Sequence, residues 1–322
     1  MRFRWAKIFV IFSTPFILHT SVQAADKIRV AFPSPAAQFI PLPLAQSKGF
    51  LKTEGLEAEL IQMSPPLAIA GLVSGEIDYF TVIGPGIRAA LQGLPVKDVA
   101  CYVPAPPFVL LARSEFKSVK ELKGKAIDIG SFGGTPETIA RLTLKHFGLD
   151  PEKEVKFVAR GAIPSRLAAM QQGLTAATLG SAPLDYLGTK MGFVVLARVH
   201  ELFSYPDSGL VTSVKKIKER PDEIKRVIEA GIKANRYIRA EREGTIQFLM
   251  QRLKIDREIA AATYDSVSKA FNDDGSVPED GLRLVIDEAK KIAKVNREVS
   301  PNEVADLSIL REAQEELGIR RK

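Results

Sequence analysis

The feature that most restricts this chain is a rhythm. Short apolar runs alternate with amphipathic stretches, and glycine or proline stands at most of the junctions. Residues 28–32, 57–63, 79–83 and 108–112 read as strands. Between them, 41–48 closed by Gly49, 65–74 closed by Gly75 and 85–92 closed by Gly93 read as helices. A second series opens at 118–124 and places strands at 125–129, 155–159 and 176–179. Strands separated by helices pair in parallel, with helices on both faces of the sheet, so the expected class is α/β. Beyond Gly209 the strand signal fades, and helices are expected at 221–240, 244–253, 256–271, 278–295 and 302–317. No low-complexity linker separates these segments, which argues against independent beads on a string.

A weak internal echo supports a two-part plan. LVSGEIDYFTVIGPGIRAALQG, from Leu72, and AMQQGLTAATLGSAPLDYLGTKMG, from Ala169, both run helix end, glycine, strand, small residues, proline, helix. Pro41, Pro85, Pro136, Pro164 and Pro183 each follow a strand by a few residues, so these helices start abruptly next to strand ends. In open α/β sheets ligands bind at the carboxyl ends of strands, where helix N-termini present unpaired N–H groups. SFGGTPET, residues 131–138, fits that role: Gly133 and Gly134 allow close backbone approach, Thr135 is a natural N-cap and Pro136 opens the helix. The same residues would also make an ordinary capped turn without a ligand.

The amino terminus reads as a secretory signal. Arg2, Arg4 and Lys7 precede an apolar stretch broken by Pro15, and Val22-Gln23-Ala24 gives a small-residue pattern with cleavage expected after Ala24. The stretch is shorter than the roughly 20 residues a bilayer core requires. The formal charge of +7 falls to +4 once the three basic signal residues are removed, too little to argue for nucleic acid. Lys215-Lys216-Ile217-Lys218 with Arg220 is the densest basic run, and mixed signs follow it, so a solvated helix face is expected. Trp5, the sole tryptophan, lies in the signal. Cys101 is the sole cysteine, which rules out an internal disulfide and reads as a small buried residue.

Catalytic signatures are missing. There is no GxxxxGK[ST], GxGxxG, GxSxG or HExxH, and His146 and His200 stand apart without a carboxylate or cysteine pattern. Asp273-Asp274, beside Asn272 and Gly275, lacks calcium-loop spacing and reads as a solvent-facing turn. No metal or other cofactor is expected.

"PLPLAQSKGFLKTEGLEAELIQM", "LVSGEIDYF", "SVKELKGKAIDIGSFGGTPET", "GLDPEKEVKFVARG", "SRLAAMQQG" and "YPDSGLVTS" together resemble the nitrate/sulfonate/bicarbonate-type (thiamine-pyrimidine-like) substrate-binding proteins of ABC transporters. The resemblance covers nearly all of the chain after the signal. It implies a two-lobed periplasmic-binding-protein type II fold with helical C-terminal additions, one lobe at 25–110 plus 206–322 and the other at 111–205. It further implies a periplasmic, monomeric protein that takes a small-molecule ligand, expected to be an organic anion, and docks on the membrane permease of an ABC transporter. By the same likeness the ligand-contacting residues are Ser34, Phe39, Gly84, Pro85, Ser131, Gly133, Gly134, Thr135, Arg160, Ser181, Asp185 and Tyr205. Arg160 follows a strand and either aims a guanidinium at an anion or lies at the lobe rim. Phe39, Phe108, Phe132 and Tyr205 either stack on an aromatic ligand or belong to the core. The family's repeated G-x-x-D-A pattern holds at Gly75 to Asp78, where Asp78 is expected to cap or orient its turn, and fails after Gly173, where Ala177 marks the loss. A relative of the family makes the thiamine pyrimidine; that chemistry calls for a reactive histidine and a cysteine-rich segment, neither visible in this sequence. A receptor that reports its ligand to a sensor is the third reading.

Overall fold

The computed structural model describes residues 25–320; the expected signal and its cleavage site lie outside the described residues. Among the described residues, ten strands form two five-stranded sheets. The first holds β1 (Asp26–Phe32), β2 (Leu56–Gln62), β3 (Tyr79–Val82), β4 (Val96–Val103) and, from much later in the chain, β10 (Ser208–Ser213). The second holds β5 (Phe108–Ala112), β6 (Ala126–Asp128), β7 (Lys156–Val158), β8 (Ala177–Ser181) and β9 (Val194–Arg198). Their strand orders are β2-β1-β3-β10-β4 and β7-β6-β8-β5-β9. Both follow one plan: β1 pairs in parallel with β2 and β3, as β6 does with β7 and β8, while β10 and β5 are the antiparallel members.

The helices of the first sheet are α1 (Pro41–Ser47), α2 (Phe50–Thr53), α3 (Pro65–Ser74) and α4 (Ile83–Leu91). Those of the second are α5 (Thr135–His146), α6 (Ile163–Gln171) and α7 (Leu184–Lys190). After β10 come α8 (Val214–Glu219), α9 (Pro221–Ala240), α10 (Arg242–Leu253), α11 (Arg257–Val267), α12 (Glu279–Ala293), α13 (Pro301–Val304) and α14 (Ser308–Glu316). The helix expected at 302–317 is therefore broken in two: Ala305 is extended and bridges to Asp98 of β4.

The internal echo maps onto equivalent places, since α3-β3-α4 and α6-β8-α7 flank the third-position strand of each sheet. Asp78 N donates to Arg29 O as Ala176 N donates to Ala126 O, so the counterpart of Asp78 is Ala176, one residue before Ala177. Asp78 does not cap its own turn. Its carboxylate accepts from Arg29 N at 2.7 Å and from Lys216 Nζ at 2.8 Å, tying β1 to α8.

Three strands escaped the sequence pattern. Fully buried Asp98 interrupts the apolar alternation of β4, β9 is short, and β10 is rich in small and hydroxyl residues. Gly209 of β10 has no room for a side chain: a Cβ there would lie 2.2 Å from Ala100 O. The basic run is likewise not simply solvated. Lys216 Nζ sits between Asp78 (2.8 Å) and nearly buried Glu223 (2.7 Å), and Glu223 also accepts from Tyr79 Oη at 2.8 Å and pairs with Arg220 at 3.1 Å. The Asp273-Asp274 turn lies along β4, with Cys101 N donating to Gly275 O and Asn272 Nδ2 donating to Cys101 O.

Two crossovers join the sheets, residues 104–107 between β4 and β5 and residues 199–207 between β9 and β10. They are hydrogen-bonded to each other, with Tyr205 N donating to Pro104 O at 2.9 Å, and Asp207 N donates to Val103 O at the end of β4 at 3.0 Å. α12 rests on the second crossover at Gly281, where a Cβ would stand 2.6 Å from Ser204 Oγ. α12 also packs on α4, and its Leu282, Val285, Ile286 and Ala289 share one buried cluster with Ile83, Ile87 and residues of the second sheet. α12 thus braces the second crossover and packs between residues of both sheets.

Candidate ligand-binding cleft

The carboxyl ends of β1, β3, β6 and β8 face a common cleft with two chambers. The wide one, about 840 Å³, is bounded by the segments after β1 and β3, the start of α3, Phe108, the SFGGTPET turn and Ile292 of α12. The narrow one, about 280 Å³, lies toward the second sheet and is bounded by Ile129, Gly130, Gly161, Arg166 and residues 179–181. Ser34, Gln38, Phe108, Ser131 and Pro136 border both, so the chambers are continuous.

Of the residues expected to touch a ligand, Ser34, Phe39, Pro85, Ser131, Gly133, Gly134, Thr135 and Ser181 border one chamber or both. Four do not. Gly84 is buried inside α4, and Tyr205 is buried in the crossover, where loss of water around the phenolate raises the phenol pKa. Asp185, in the first turn of α7, pairs with Arg198 of edge strand β9 at 3.1 Å, in a groove facing α11. Arg160 Nη1 is held at 3.1 Å by fully buried Asp128, whose other oxygen accepts from Arg160 N and Gly130 N. A guanidinium neutralised by a buried carboxylate is a structural brace, not a free anion receptor.

The SFGGTPET turn also differs from its expected chemistry. Gly134, not Thr135, is the N-cap, and Thr135 is the first helical residue with Pro136 next to it. Glu137 folds back and accepts from Gly133 N at 2.7 Å while pairing with Arg141 at 2.7 Å, so a carboxylate of the chain already occupies part of the anion cradle. Phe132 stands 58% exposed beside Leu94 and Ile292, also exposed, and these three give the mouth of the wide chamber an apolar rim.

Four polar residues that the sequence left unmarked define the cleft instead. Arg166 projects from the first turn of α6 and is only 7% exposed. Its Nη1 donates to Leu179 O at 2.8 Å and Thr178 Oγ1 at 3.2 Å, its Nε is unpartnered, and no carboxylate of the described residues lies within ion-pairing distance. Burial lowers its pKa, partly offset by the field of Asp128. Close approach of backbone makes room for it: a Cβ on Gly180 would fall 3.0 Å from Nη1, and Gly130, at φ +75°, lies against the same guanidinium. Arg88, on α4, likewise has no carboxylate partner among the described residues, and burial lowers its pKa while the nearby Tyr205 opposes that. Gln38 is buried at the junction with its Oε1 unpartnered. Asp207 borders the wide chamber, fully buried with Oδ2 unpartnered, and desolvation pushes its pKa up to about 7. The available signal was an arginine on the inner face of an otherwise apolar βα helix, as in IGPGIRAAL and IPSRLAAM.

Two sheets of one topology, joined by a pair of hydrogen-bonded crossovers around a cleft lined from both sides, define the periplasmic-binding-protein class of fold. The periplasmic aliphatic sulphonate binding protein SsuA from Escherichia coli superposes on 87% of the chain and 92% of its own with a TM-score of 0.72 at 18% identity. A family model, NMT1/THI5 like, matches residues 36–244. The chain belongs to that NMT1/THI5-like family. A Brucella abortus (strain 2308) protein described as a binding protein is 26% identical over 260 residues, 78% of this chain and 80% of the relative. The 4-amino-5-hydroxymethyl-2-methylpyrimidine phosphate synthase THI12 of Saccharomyces cerevisiae is 32% identical over 124 residues. That match takes in 37% of this chain and spans 36% of the yeast protein's length.

Proposed function

We propose that the protein is an extracytoplasmic solute-binding protein that captures a small organic anion between two lobes, 25–110 plus 206–322 and 111–205, and presents it to the membrane permease of an ABC importer. One observation carries the reading: Arg166 is nearly buried, without a carboxylate partner, in a chamber that opens into a cavity large enough for an organic solute. A buried cation without a counter-ion is costly, and an anion entering the cleft relieves that cost. Contacts from both lobes then favour the closed arrangement, and the difference in affinity between open and closed forms drives closure. The protein acts as a monomer, without nucleic acid. No described helix is long and apolar enough to cross a membrane.

The partial likeness to the yeast pyrimidine synthase keeps a catalytic reading in view. Against it, His146 packs on Phe147 and Phe203, His200 lies beside Glu201 away from the cleft, and Cys101 is buried with its thiol pKa pushed up by desolvation. None of the three borders either chamber. The test is a thermal-shift screen of the purified protein against carboxylates, sulfonates, nitrate, pyrimidines and amino acids. A concentration-dependent rise in Tm with organic anions is expected. Stabilisation by pyrimidines alone would overturn the organic-anion reading, and turnover of the bound pyrimidine compound would be needed to favour the synthase-like one.

A further inference from the structure

Most arginines around the second sheet and its edges are neutralised by the chain itself: Arg160 by Asp128, Arg198 by Asp185 and Arg141 by Glu137 and Glu152. The two that border the cleft are not. Arg166 occupies the narrow chamber and Arg88 the wide one. The two arginines enter from different sheets, on α6 and α4, and bound separate chambers. The wide chamber is lined largely by apolar residues, among them Phe39, Ile69, Val82 and Phe108, and Phe108 and the buried Gln38 border both chambers.

Resting on the solute-binding reading above, we infer that the solute is an elongated organic dianion with an apolar middle, one anionic group held by Arg166 in the narrow chamber and the other by Arg88 in the wide one. A monoanion would satisfy one guanidinium and leave the second in the closed, desolvated cleft without a counter-charge. An inorganic oxyanion such as sulfate would meet one arginine and fill little of the roughly 840 Å³ chamber. Asp207 is the acid that borders the wide chamber among the described residues, and because burial pushes its pKa up to about 7 it does not fully cancel Arg88 near neutrality. Gln38, with its carbonyl oxygen unpartnered, suits a hydrogen-bond donor on the solute or a bound water at the junction of the two chambers.

The test compares matched pairs by isothermal titration calorimetry: suberate against octanoate, terephthalate against 4-methylbenzoate, with sulfate alone as the inorganic control. Each dianion is expected to bind about tenfold or more tightly than its monoanionic partner, the range expected for one additional charge-assisted contact. Arg88→Gln should bring the dianion to the affinity of the monoanion, and Arg88→Lys should recover part of the difference. Arg166→Gln should weaken both members of a pair; Arg166→Lys, with a urea midpoint measured for each variant, separates lost binding from lost folding. Equal affinity for monoanion and dianion would overturn the inference and leave the solute-binding reading intact, as would a dianion preference that survives Arg88→Gln. Binding of none of the organic anions would overturn both.

Discussion

Replacing Asp207 by asparagine should stabilise the protein, and the gain should depend on pH. The side chain is fully buried at the second crossover, Oδ2 has no partner, and desolvation lifts its pKa from the ordinary 3.8 to about 7. In the unfolded chain the carboxyl has lost its proton well below the pH at which the folded chain releases it. Between those two values the folded state binds the extra proton, so this residue's contribution to stability falls as pH rises. A gap from 3.8 to about 7, at 1.36 kcal/mol per pH unit, corresponds to roughly 4 kcal/mol once the carboxyl is ionised in both states. Local relaxation and water entry reduce that figure, which makes it an upper value. Asparagine keeps the shape and carries no charge at any pH. The advantage of Asp207→Asn over the parent should be near zero below about pH 4 and grow to a few kcal/mol above about pH 8. Urea unfolding followed by far-UV circular dichroism at about pH 4, 6 and 8.5 reads this directly, and carboxylates common to both proteins cancel in the difference. A difference that stays flat with pH, or a loss of stability that grows toward alkaline pH, would refute the desolvation argument.

Glu223→Gln removes the charge that Lys216, Arg220 and Tyr79 share and should cost about 2–4 kcal/mol in urea unfolding, because Lys216 is left with Asp78 alone. Gly209→Ala places a methyl group against Ala100 O and should destabilise by about 3 kcal/mol or prevent folding, measurable as loss of the cooperative transition. Asp256→Ala removes the side-chain cap on Ile259 N of α11, at 2.8 Å, and should lower stability by about 1 kcal/mol without changing solute affinity by calorimetry. Thr135→Ala, at a position that borders the wide chamber but does not cap α5, should leave the unfolding free energy from urea titration within about 0.5 kcal/mol of the parent while weakening solute binding by calorimetry.

The order of elements was legible from local, periodic signals. Alternating apolar runs, with proline at the starts of α1, α3 and α9 and inside the first turns of α4, α5 and α6, set the βα order. Those signals rest on neighbours within a few residues, where backbone sterics and side-chain periodicity act directly. The partnering of strands that break the pattern came from tertiary structure: β10 is an inner strand of the first sheet only because the chain returns to it after the whole second sheet. The charges of the cleft were decided the same way. Arg160 and Arg166 lie six positions apart and both follow β7, yet Asp128, 32 residues before Arg160, neutralises one and leaves the other facing the chamber. Whether a guanidinium is a brace or a receptor depends on which carboxylate folding brings within reach, and that distance is a property of the packed chain alone.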